Sequence, residues 1–289
     1  KFKKVPGIDQ ELDYIPSNTL TLDIDSAAVV NSPGLKDADI PSIQKQMVID
    51  LKGKDYLGKH ELIILDMLQN NNWQRPMYYA ITVSPEQFVK MDPYFQQTGL
   101  AYQIVPQKVK GANKALNTEK MYDNIMNKFK WGGVDKPGVY LDENVLRMCK
   151  TYRTVLFGKL AAALINEGKD DKALNVLDRC MEVLPPENVP LDYYALSIAE
   201  FYYVLDQKEK GANLYTGIAD EAMRNLNWYF RLKPSQFASV ANDVYENLAV
   251  LQEVLRVNEK YNPEFCKKYQ EEFDNYRMAF QSLHPEGNE

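Results

Sequence analysis

The alternation of hydrophobic and polar positions predicts short strands and helices in the first half of the chain. Leu20, Leu22 and Ile24 alternate with polar residues, which predicts a strand, and residues 47–51 form an apolar run of strand length. The pattern then predicts a helix at 56–70, strands at 77–83 and 100–105, and a short helix at 85–91. This order of elements predicts one small sheet covered by helices.

Longer stretches with helical spacing begin near residue 142. One covers 145–167, a break follows at Gly168, and another covers 172–184 before Pro185, so together they predict a helical hairpin. The segment 154–187 fits the tetratricopeptide pattern, a helix pair of about 34 residues. The positions that carry this fit are Leu160, Ala161, Ala173, Leu177 and Pro185. Small residues in this pattern let paired helices approach, while larger residues fill the gap between them.

A second copy of the pattern follows in weaker form. Gly211 takes the place of Ala173 and Tyr215 that of Leu177, in both cases 38 residues later, so the second unit is longer than the usual period. Helical segments at 237–258 and 263–283 come after it, and we expect them to cap the stack. The second half is therefore predicted to hold two helical repeats and a cap.

A polar stretch with a less regular pattern separates the two halves. Residues 107–136 are rich in lysine and asparagine, include one predicted helix at 118–129, and contain the sequence Trp131-Gly132-Gly133. We place the domain boundary in this stretch. The sequence predicts an α+β protein, with a small mixed α/β sheet domain at 1–136 and an all-α tetratricopeptide-like domain at 137–289.

Composition narrows the possible function classes. The 289 residues are 45% hydrophobic and carry a net charge of −6, so the chain can fold but is poorly suited to general binding of nucleic acid. Its longest apolar runs, near 62–65 and 160–165, are far shorter than the roughly 18 residues of a membrane-spanning helix. The chain starts with Lys1 rather than Met and has no apolar signal region, so we expect a piece of a longer protein.

The motifs for catalysis and metal binding are incomplete in this sequence. His60-Glu61 begins a zinc-protease motif, but Ile64 stands where the second histidine is required, and His284 is expected to be solvated. Asp142-Glu143 offers the paired carboxylates of a glycosidase, yet acidic residues also favour a helix N-terminus, and capping is the simpler interpretation. No nucleophile, dinucleotide or phosphate-loop motif occurs. We therefore assign no catalytic residue, no metal site and no cofactor.

Nineteen tyrosines, several of them adjacent in the sequence, are the more informative feature. Tyr and Trp join an apolar body to a polar tip, which suits both helix packing and recognition of sugars or peptides, and packing is expected for most of them. Arg75 either stacks on Trp73, pairs with a carboxylate or binds a ligand. The candidate binding residues are Trp73, Arg75, Tyr78, Tyr102, Tyr194 and Tyr202.

The three cysteines, Cys149, Cys180 and Cys266, are too few and too scattered for a disulfide framework or a thiolate metal site. Cys149 and Cys180 fall near the start of one repeat helix and the end of its antiparallel partner, which makes them candidate neighbours. They either pair in an oxidising compartment or remain free buried thiols, which are commoner in helix packing.

Several strings within residues 45–220 carry a family resemblance. They are Leu62-Ile63-Ile64-Leu65-Asp66, Asn71 to Ala80, Gly99 to Pro106, Tyr122-Asp123-Asn124, Phe129 to Gly133, Tyr140 to Asn144 with Arg147-Met148, and Tyr152-Arg153. Together they resemble the C-terminal soluble part of large multispanning membrane proteins of bacteroidetes known as domain of unknown function 2723. A set of strings this long is more specific than any short motif.

The resemblance implies a parent protein whose membrane helices are similar to GT-C glycosyltransferases, including protein O-mannosyltransferases. Such enzymes use a lipid-linked sugar donor, and their acidic catalytic residues lie in the membrane domain, so no catalytic residue is carried over to this chain. The chain would then lie on the periplasmic face of the inner membrane, with its own membrane domain as one partner. Its helices would offer a surface for an acceptor protein, a glycan or another envelope protein.

Three hypotheses of function follow from these observations. The first is a non-catalytic accessory domain of a membrane glycosyltransferase that binds or positions an acceptor. The second is a protein-interaction scaffold of an envelope assembly with no role in sugar transfer. The third is an independent hydrolase that uses Asp142, Glu143 or other carboxylates, and it requires a deep cleft with two inward-facing acids.

Overall fold

Three small antiparallel sheets form the β part of the chain in the computed structural model, which describes residues 2–4, 11–13, 15, 17–32, 35, 43–109 and 115–283. Strand β1 (Phe2–Lys4) pairs with β2 (Glu11–Asp13), and β3 (Thr19–Asp23) pairs with β4 (Gln46–Asp50). The third sheet has the order β5 (Tyr78–Ala80), β7 (Ala101–Ile104), β6 (Phe95–Gln97). The prediction of a single sheet is therefore wrong, because the short strands pair only with near neighbours.

Within the described part of the first half, three α-helices accompany these sheets. They are α1 (Ser26–Val30), α2 (Lys59–Asn71) and α3 (Thr118–Asp123), and a π-helical turn at Asn124–Lys128 extends α3. The helix predicted at 85–91 is wrong beyond one 3-10 turn at Pro85–Gln87. It stops there because Val89 and Lys90 have φ angles of 54° and 58°, in the left-handed region that a right-handed helix cannot use.

The apolar core of this first half lies between the second and third sheets and α2. Met47 and Ile49 project from β4 and are fully buried beside Tyr94, Phe95 and Ile104. The Tyr94 hydroxyl donates to the carbonyl oxygen of Val48 at 3.1 Å and accepts from its amide nitrogen at 2.7 Å. One side chain thus satisfies both backbone groups of a strand residue that pairs with no further strand among the described residues.

The second half is made of helices. They are α4 (Glu143–Tyr152), α5 (Lys159–Asn166), α6 (Asp170–Val183), α7 (Leu196–Val204), α8 (Lys208–Tyr229), α9 (Pro234–Phe237), α10 (Ala241–Tyr261) and α11 (Pro263–Leu283). A π-helical turn at Arg153–Gly158 joins α4 to α5, so the helix predicted at 145–167 is continuous but changes its hydrogen-bond spacing in the middle. Asp142 caps α4 by accepting from the amides of Asn144 and Val145, which confirms the capping interpretation of this carboxylate.

Two helical hairpins repeat the same turn in this half. The α5–α6 hairpin turns at Gly168 with φ 70°, and the α7–α8 hairpin turns at Asp206 with φ 56°, again 38 residues later. Gly211 lies against the Tyr203 ring, and the Tyr215 ring stacks on Tyr203 at 5.5 Å between centroids. The hairpins are confirmed, and their assignment as tetratricopeptide repeats stays a prediction.

The chain as a whole is α+β, as predicted. It divides into two compact units, Lys1–Asn127 and Lys128–Glu289. Trp131 packs on Phe157 at 5.4 Å and therefore contacts the helices of the second unit. The domain boundary expected at residue 136 stays a prediction.

Candidate functional site

Four of the candidate binding residues lie in the first unit. Trp73 is 7% exposed and belongs to the apolar core, while Arg75 is exposed and its backbone amide and carbonyl are bound by the Asn71 side chain at 3.2 and 2.6 Å. Tyr78 and Tyr102 lie on adjacent strands, β5 and β7. The structure gives Trp73 a packing position and leaves Arg75 open to solvent.

The third sheet has one aromatic face. Tyr79, Phe95 and Tyr102 share this face, and Phe88 from the neighbouring loop packs against all three rings at centroid distances of 5.4, 5.0 and 6.0 Å. Burial, together with the nearby Glu61 carboxylate, raises the pKa of Tyr79 to about 12. Tyr102 is thus part of a packed aromatic cluster.

The opposite face of the same sheet is polar. Tyr78 pairs with Gln103 across the strands, and Gln103 is fully buried. Lys120 of α3 donates to the Gln103 side-chain oxygen at 2.9 Å, and its ammonium lies 6.0 Å from the Tyr78 ring centroid. Asn117 caps α3 and donates to Gln96 of β6 at 3.2 Å. Hydrogen bonds therefore link α3 to the sheet.

The other two candidates, Tyr194 and Tyr202, lie in the second unit in different environments. Tyr202 is 3% exposed, and its hydroxyl donates to the Asp178 carboxylate at 2.9 Å, which Lys210 also contacts at 2.7 Å. Burial first, and then the hydrogen bond to Asp178, raises the pKa of Tyr202. The Tyr202 side chain therefore joins α7 to α6 as a packing residue.

Tyr194 belongs to a partly exposed cluster that we call the tyrosine surface. Its members are Asp192, Tyr193, Tyr194, Trp228, Tyr229, Asp243 and Glu246. The rings of Tyr193 and Tyr194 lie 4.0 Å apart, and Tyr193 and Trp228 are 47% and 58% exposed. Trp228 meets Tyr229 edge to face at 5.3 Å.

Carboxylates lie close to these rings. A hydrogen bond with Tyr194 raises the pKa of Tyr193 to about 12, with further contributions from burial and from the negative charges of Asp192 and Glu246. Burial also raises the pKa of Tyr229, and the charges of Asp243 and Glu246 raise it further. Glu246 therefore lies near tyrosines from two different segments, Tyr193 and Tyr229.

The charge of this surface is negative. Lys150 neutralises Asp192 through an ion pair of 3.0 Å. No lysine or arginine within the described ranges forms an ion pair with Asp243 or Glu246. Exposed rings beside carboxylates attract a cationic group through both the ring quadrupole and the opposite charge.

The segment before the tyrosine surface is held by Arg153, which sequence reasoning missed as a functional residue. Its side chain is fully buried and donates to the carbonyl oxygens of Pro190 at 2.7 Å, Val189 at 2.6 Å and Leu184 at 3.2 Å. Burial lowers its pKa, although the nearby thiols and Asp192 oppose this. The feature of the sequence that could have indicated this role is a charged residue, Arg153, next to the apolar run that starts at Val155.

Cys149 and Cys180 are buried near Arg153 as free thiols, so the structure contains no bond between them. Burial raises the pKa of Cys180 to about 12, even though the Arg153 charge lowers it. Both thiols are therefore protonated packing groups near neutral pH. His60 is exposed, and His284 lies outside the described residues.

Together these features define a class of protein: an α+β chain with small antiparallel sheets, two helical hairpins and a partly exposed aromatic and acidic surface. Residues 1–123 match the family model described as TMEM260-associated domain 2, so the first part of the chain is similar to that domain. Neither a search of curated proteins nor a search of solved structures found a match.

Two further observations bear on membranes and metals. No helix within the described ranges is both long enough and apolar enough to cross a membrane. In that same part of the chain, no group of three or more His, Cys, Asp or Glu side chains is arranged to hold a metal ion.

Proposed function

We propose that this chain is a non-catalytic accessory domain of a membrane-embedded, glycosyltransferase-like protein, and that it binds or positions an acceptor on the outer side of the membrane. The match of residues 1–123 to a TMEM260-associated domain supports the link to a membrane protein. The resemblance of residues 45–220 to the soluble part of multispanning proteins similar to GT-C enzymes supports the same link. The helical hairpins are compatible with tetratricopeptide-like repeats, which commonly present binding surfaces.

The exposed aromatic side chains of the tyrosine surface are the main structural support for this proposal. Tyr193 and Trp228 expose large rigid side chains, the type that dominates the energy of many binding interfaces. Tyr194 and Tyr229 support them through ring contacts at 4.0 and 5.3 Å. The surface thus has aromatic groups already fixed in place, and a partner would lose little additional side-chain entropy on binding.

The charge of the surface favours an acceptor segment that contains lysine or arginine. Glu246 and Asp243 lie near the tyrosines, and Lys150 is already occupied by Asp192. A guanidinium stacked on Tyr193 would gain a cation–π contact and a charged hydrogen bond to Glu246. A neutral glycan would gain only the ring contact, so an acceptor protein is the preferred occupant.

Calorimetric titration of the full 289-residue chain tests this choice. The probe is a short extended peptide with two arginines, and its matched control contains citrulline, which has nearly the same shape but no charge. We expect the arginine peptide to bind and the citrulline peptide to bind at least about tenfold more weakly, a difference of about 1.4 kcal/mol. Glu246→Gln and Tyr193→Ala are each expected to weaken binding of the arginine peptide.

Glu259→Gln is the matched control, because it makes the same substitution at an exposed position of the same helix α10. It should leave binding unchanged. Equal binding of the two peptides, or equal effects of Glu246→Gln and Glu259→Gln, would contradict the proposal. Binding of a folded envelope protein with no affinity for peptides or glycans would favour the scaffold hypothesis instead.

A further inference from the structure

The first unit contains a surface cleft that the proposed function does not use. Its volume is about 370 Å³, which is near the lower end of the range for small-molecule sites. The residues that line it are Lys54, Pro85, Glu86, Phe88, Lys90 and Asp92. All six lie within the first unit, so the cleft is complete without the tyrosine surface.

The apolar wall of the cleft is rigid. Phe88 makes edge contacts with the rings of Tyr79 and Phe95 at 5.4 and 5.0 Å, so its own ring has a fixed orientation. Pro85 adds a second apolar group at the start of the 3-10 turn. A flat apolar face of a ligand would meet a surface that is already in position.

The polar groups of the cleft carry both charges. The Lys54 ammonium contacts the Glu61 carboxylate at 2.7 Å and donates to the Glu86 backbone oxygen at 3.4 Å, so it is fixed. The Lys90 and Asp92 side chains are exposed and also line the cleft. Because Lys54 is already paired with Glu61, the charged groups left to a ligand are the Lys90 ammonium and the carboxylates of Glu86 and Asp92.

The loop that carries Lys90 has an unusual backbone. Val89 and Lys90 both have φ near 55°, a conformation that is costly for residues with a Cβ, and most so for β-branched valine. The fully buried Val89 side chain holds the loop in this conformation. The turn places Phe88 and Lys90 at the same cleft. A glycine at position 89 or 90 would remove the strain at that position.

We propose that this cleft binds one pyranose ring of a neutral carbohydrate. A pyranose has an apolar face of C–H groups that suits Phe88 and Pro85, and its hydroxyls both donate and accept hydrogen bonds. Carboxylates of Glu86 and Asp92 accept from hydroxyls, while the Lys90 ammonium donates to them. One ammonium beside two carboxylates disfavours an anionic ligand, whereas the hydroxyls of an uncharged polyol can pair with groups of either charge.

Saturation-transfer NMR on the full chain tests the assignment. The probes are methyl glucoside, methyl mannoside and methyl galactoside in their pyranose forms, and sorbitol serves as an acyclic polyol. We expect at least one pyranoside to bind, with the strongest transfer to the C–H protons of one ring face, and sorbitol to bind at least about tenfold more weakly.

Two variants locate the site. Lys90→Gly removes the ammonium and relieves the positive-φ strain, so it should fold at least as stably as the parent while losing most pyranoside binding. Asp92→Asn should also weaken binding, whereas Lys52→Ala, at an exposed position outside the cleft, should not. Tyr193→Ala should leave pyranoside binding intact, which separates this test from that of the proposed function.

Three outcomes would overturn the assignment. The first is the absence of saturation transfer from all three pyranosides. The second is equal binding of sorbitol, because ring stacking on Phe88 would then play no part. The third is tighter binding of a free amino acid such as serine, which would indicate a site for zwitterions.

Discussion

Several buried side chains connect distant segments by binding backbone groups rather than other side chains. Arg153 binds three carbonyl oxygens of residues 184–190, and Tyr94 binds both backbone groups of Val48. The half-buried Asn188 does the same, donating to the carbonyl oxygens of Val134 and Lys136 at 2.7 and 2.9 Å. Buried backbone groups without a partner are costly, so irregular segments depend on such side chains where no strand or helix pairs with them.

Glu61 is a buried carboxylate with both a backbone and a side-chain partner, and its ionisation predicts how stability depends on pH. The carboxylate accepts from the Gly58 amide at 2.7 Å at the start of α2 and pairs with Lys54. Burial alone would raise its pKa, but the hydrogen bonds from Lys54 and Gly58 and nearby positive charges bring it below 4.5. A lowered carboxyl pKa stabilises the folded state above the unfolded value, and this stability is lost as pH falls through the folded pKa.

We therefore expect Glu61→Gln to reduce the free energy of unfolding of the first unit by about 2 kcal/mol at pH 7. The difference from the parent should shrink as the pH falls through the lowered pKa of Glu61, because the parent carboxylate then becomes protonated. Urea unfolding at several pH values, followed by hydrogen exchange of amides in α2, measures this. Asp55→Asn, at a nearby exposed position, is the control and should show little effect. A difference that stays constant down to pH 3 would contradict the assignment.

The candidate binding residues show which part of the site the sequence could predict. Tyr194 and Tyr202 both belong to aromatic clusters in the sequence, yet one is partly exposed and the other is buried against Asp178. Residue type alone cannot separate these cases, because tyrosine is suited to both environments. Asp192 and Glu246, which give the tyrosine surface its charge, lie 54 positions apart in the chain, so only the fold brings them together.

At the scale of elements, long helices were easier to predict than short strands. The predicted segment 263–283 corresponds to α11, and the strand predicted at 47–51 corresponds to β4 within one residue. Strand β6 was missed because Gln96 and Gln97, although almost fully buried, are polar in sequence. Their burial depends on partners such as Asn117 from a distant segment, which local periodicity cannot show.

The close contact between Gly211 and the Tyr203 ring in the α7–α8 hairpin leads to a prediction about stability. A Cβ added to Gly211 would lie 2.7 Å from the Tyr203 ring, and stacking on Tyr215 and Tyr261 keeps that ring in place. The Tyr203 hydroxyl also donates to the Asn258 side chain at 2.8 Å. The ring therefore cannot move aside without disturbing α8 and α10.

Gly211→Ala is expected to lower the free energy of unfolding by about 1 to 3 kcal/mol, as overpacking does. The sign of this change in the free energy of unfolding is informative, because alanine in a helix is otherwise favoured over glycine by up to about 1 kcal/mol. Gly217→Ala in the same helix is the matched comparison: its Cβ would meet only the Leu191 methyl end, which can shift, so a smaller loss is expected. Thermal unfolding of both variants measures the two losses of stability. Equal losses would mean that the Tyr203 ring is not fixed.

At the scale of the whole molecule, a fold built for packing also determines where a binding surface can form. The second unit buries Arg153 between its first helices and the loop at 184–190, and this loop leads directly to Asp192, Tyr193 and Tyr194. The conformation of the tyrosine surface is thus coupled to a side chain in the core. Sequence patterns predicted the helices that surround Arg153, but the loop has no periodicity from which its path could be inferred.

Arg153→Lys tests this coupling. A single ammonium on a shorter side chain cannot reproduce the fork that reaches Pro190, Val189 and Leu184 together, so at least one buried carbonyl loses its partner. We expect the free energy of unfolding of the second unit to fall by about 1 to 3 kcal/mol. Binding of the arginine peptide at the tyrosine surface should weaken as well, although Arg153 is fully buried and cannot touch the peptide. Arg179→Lys, whose guanidinium forms an ion pair with Glu182 on α6, is the control and should change peptide binding little. If Arg153→Lys lowers stability while peptide affinity is unchanged, the core and the tyrosine surface are independent, and Arg153 serves the fold alone.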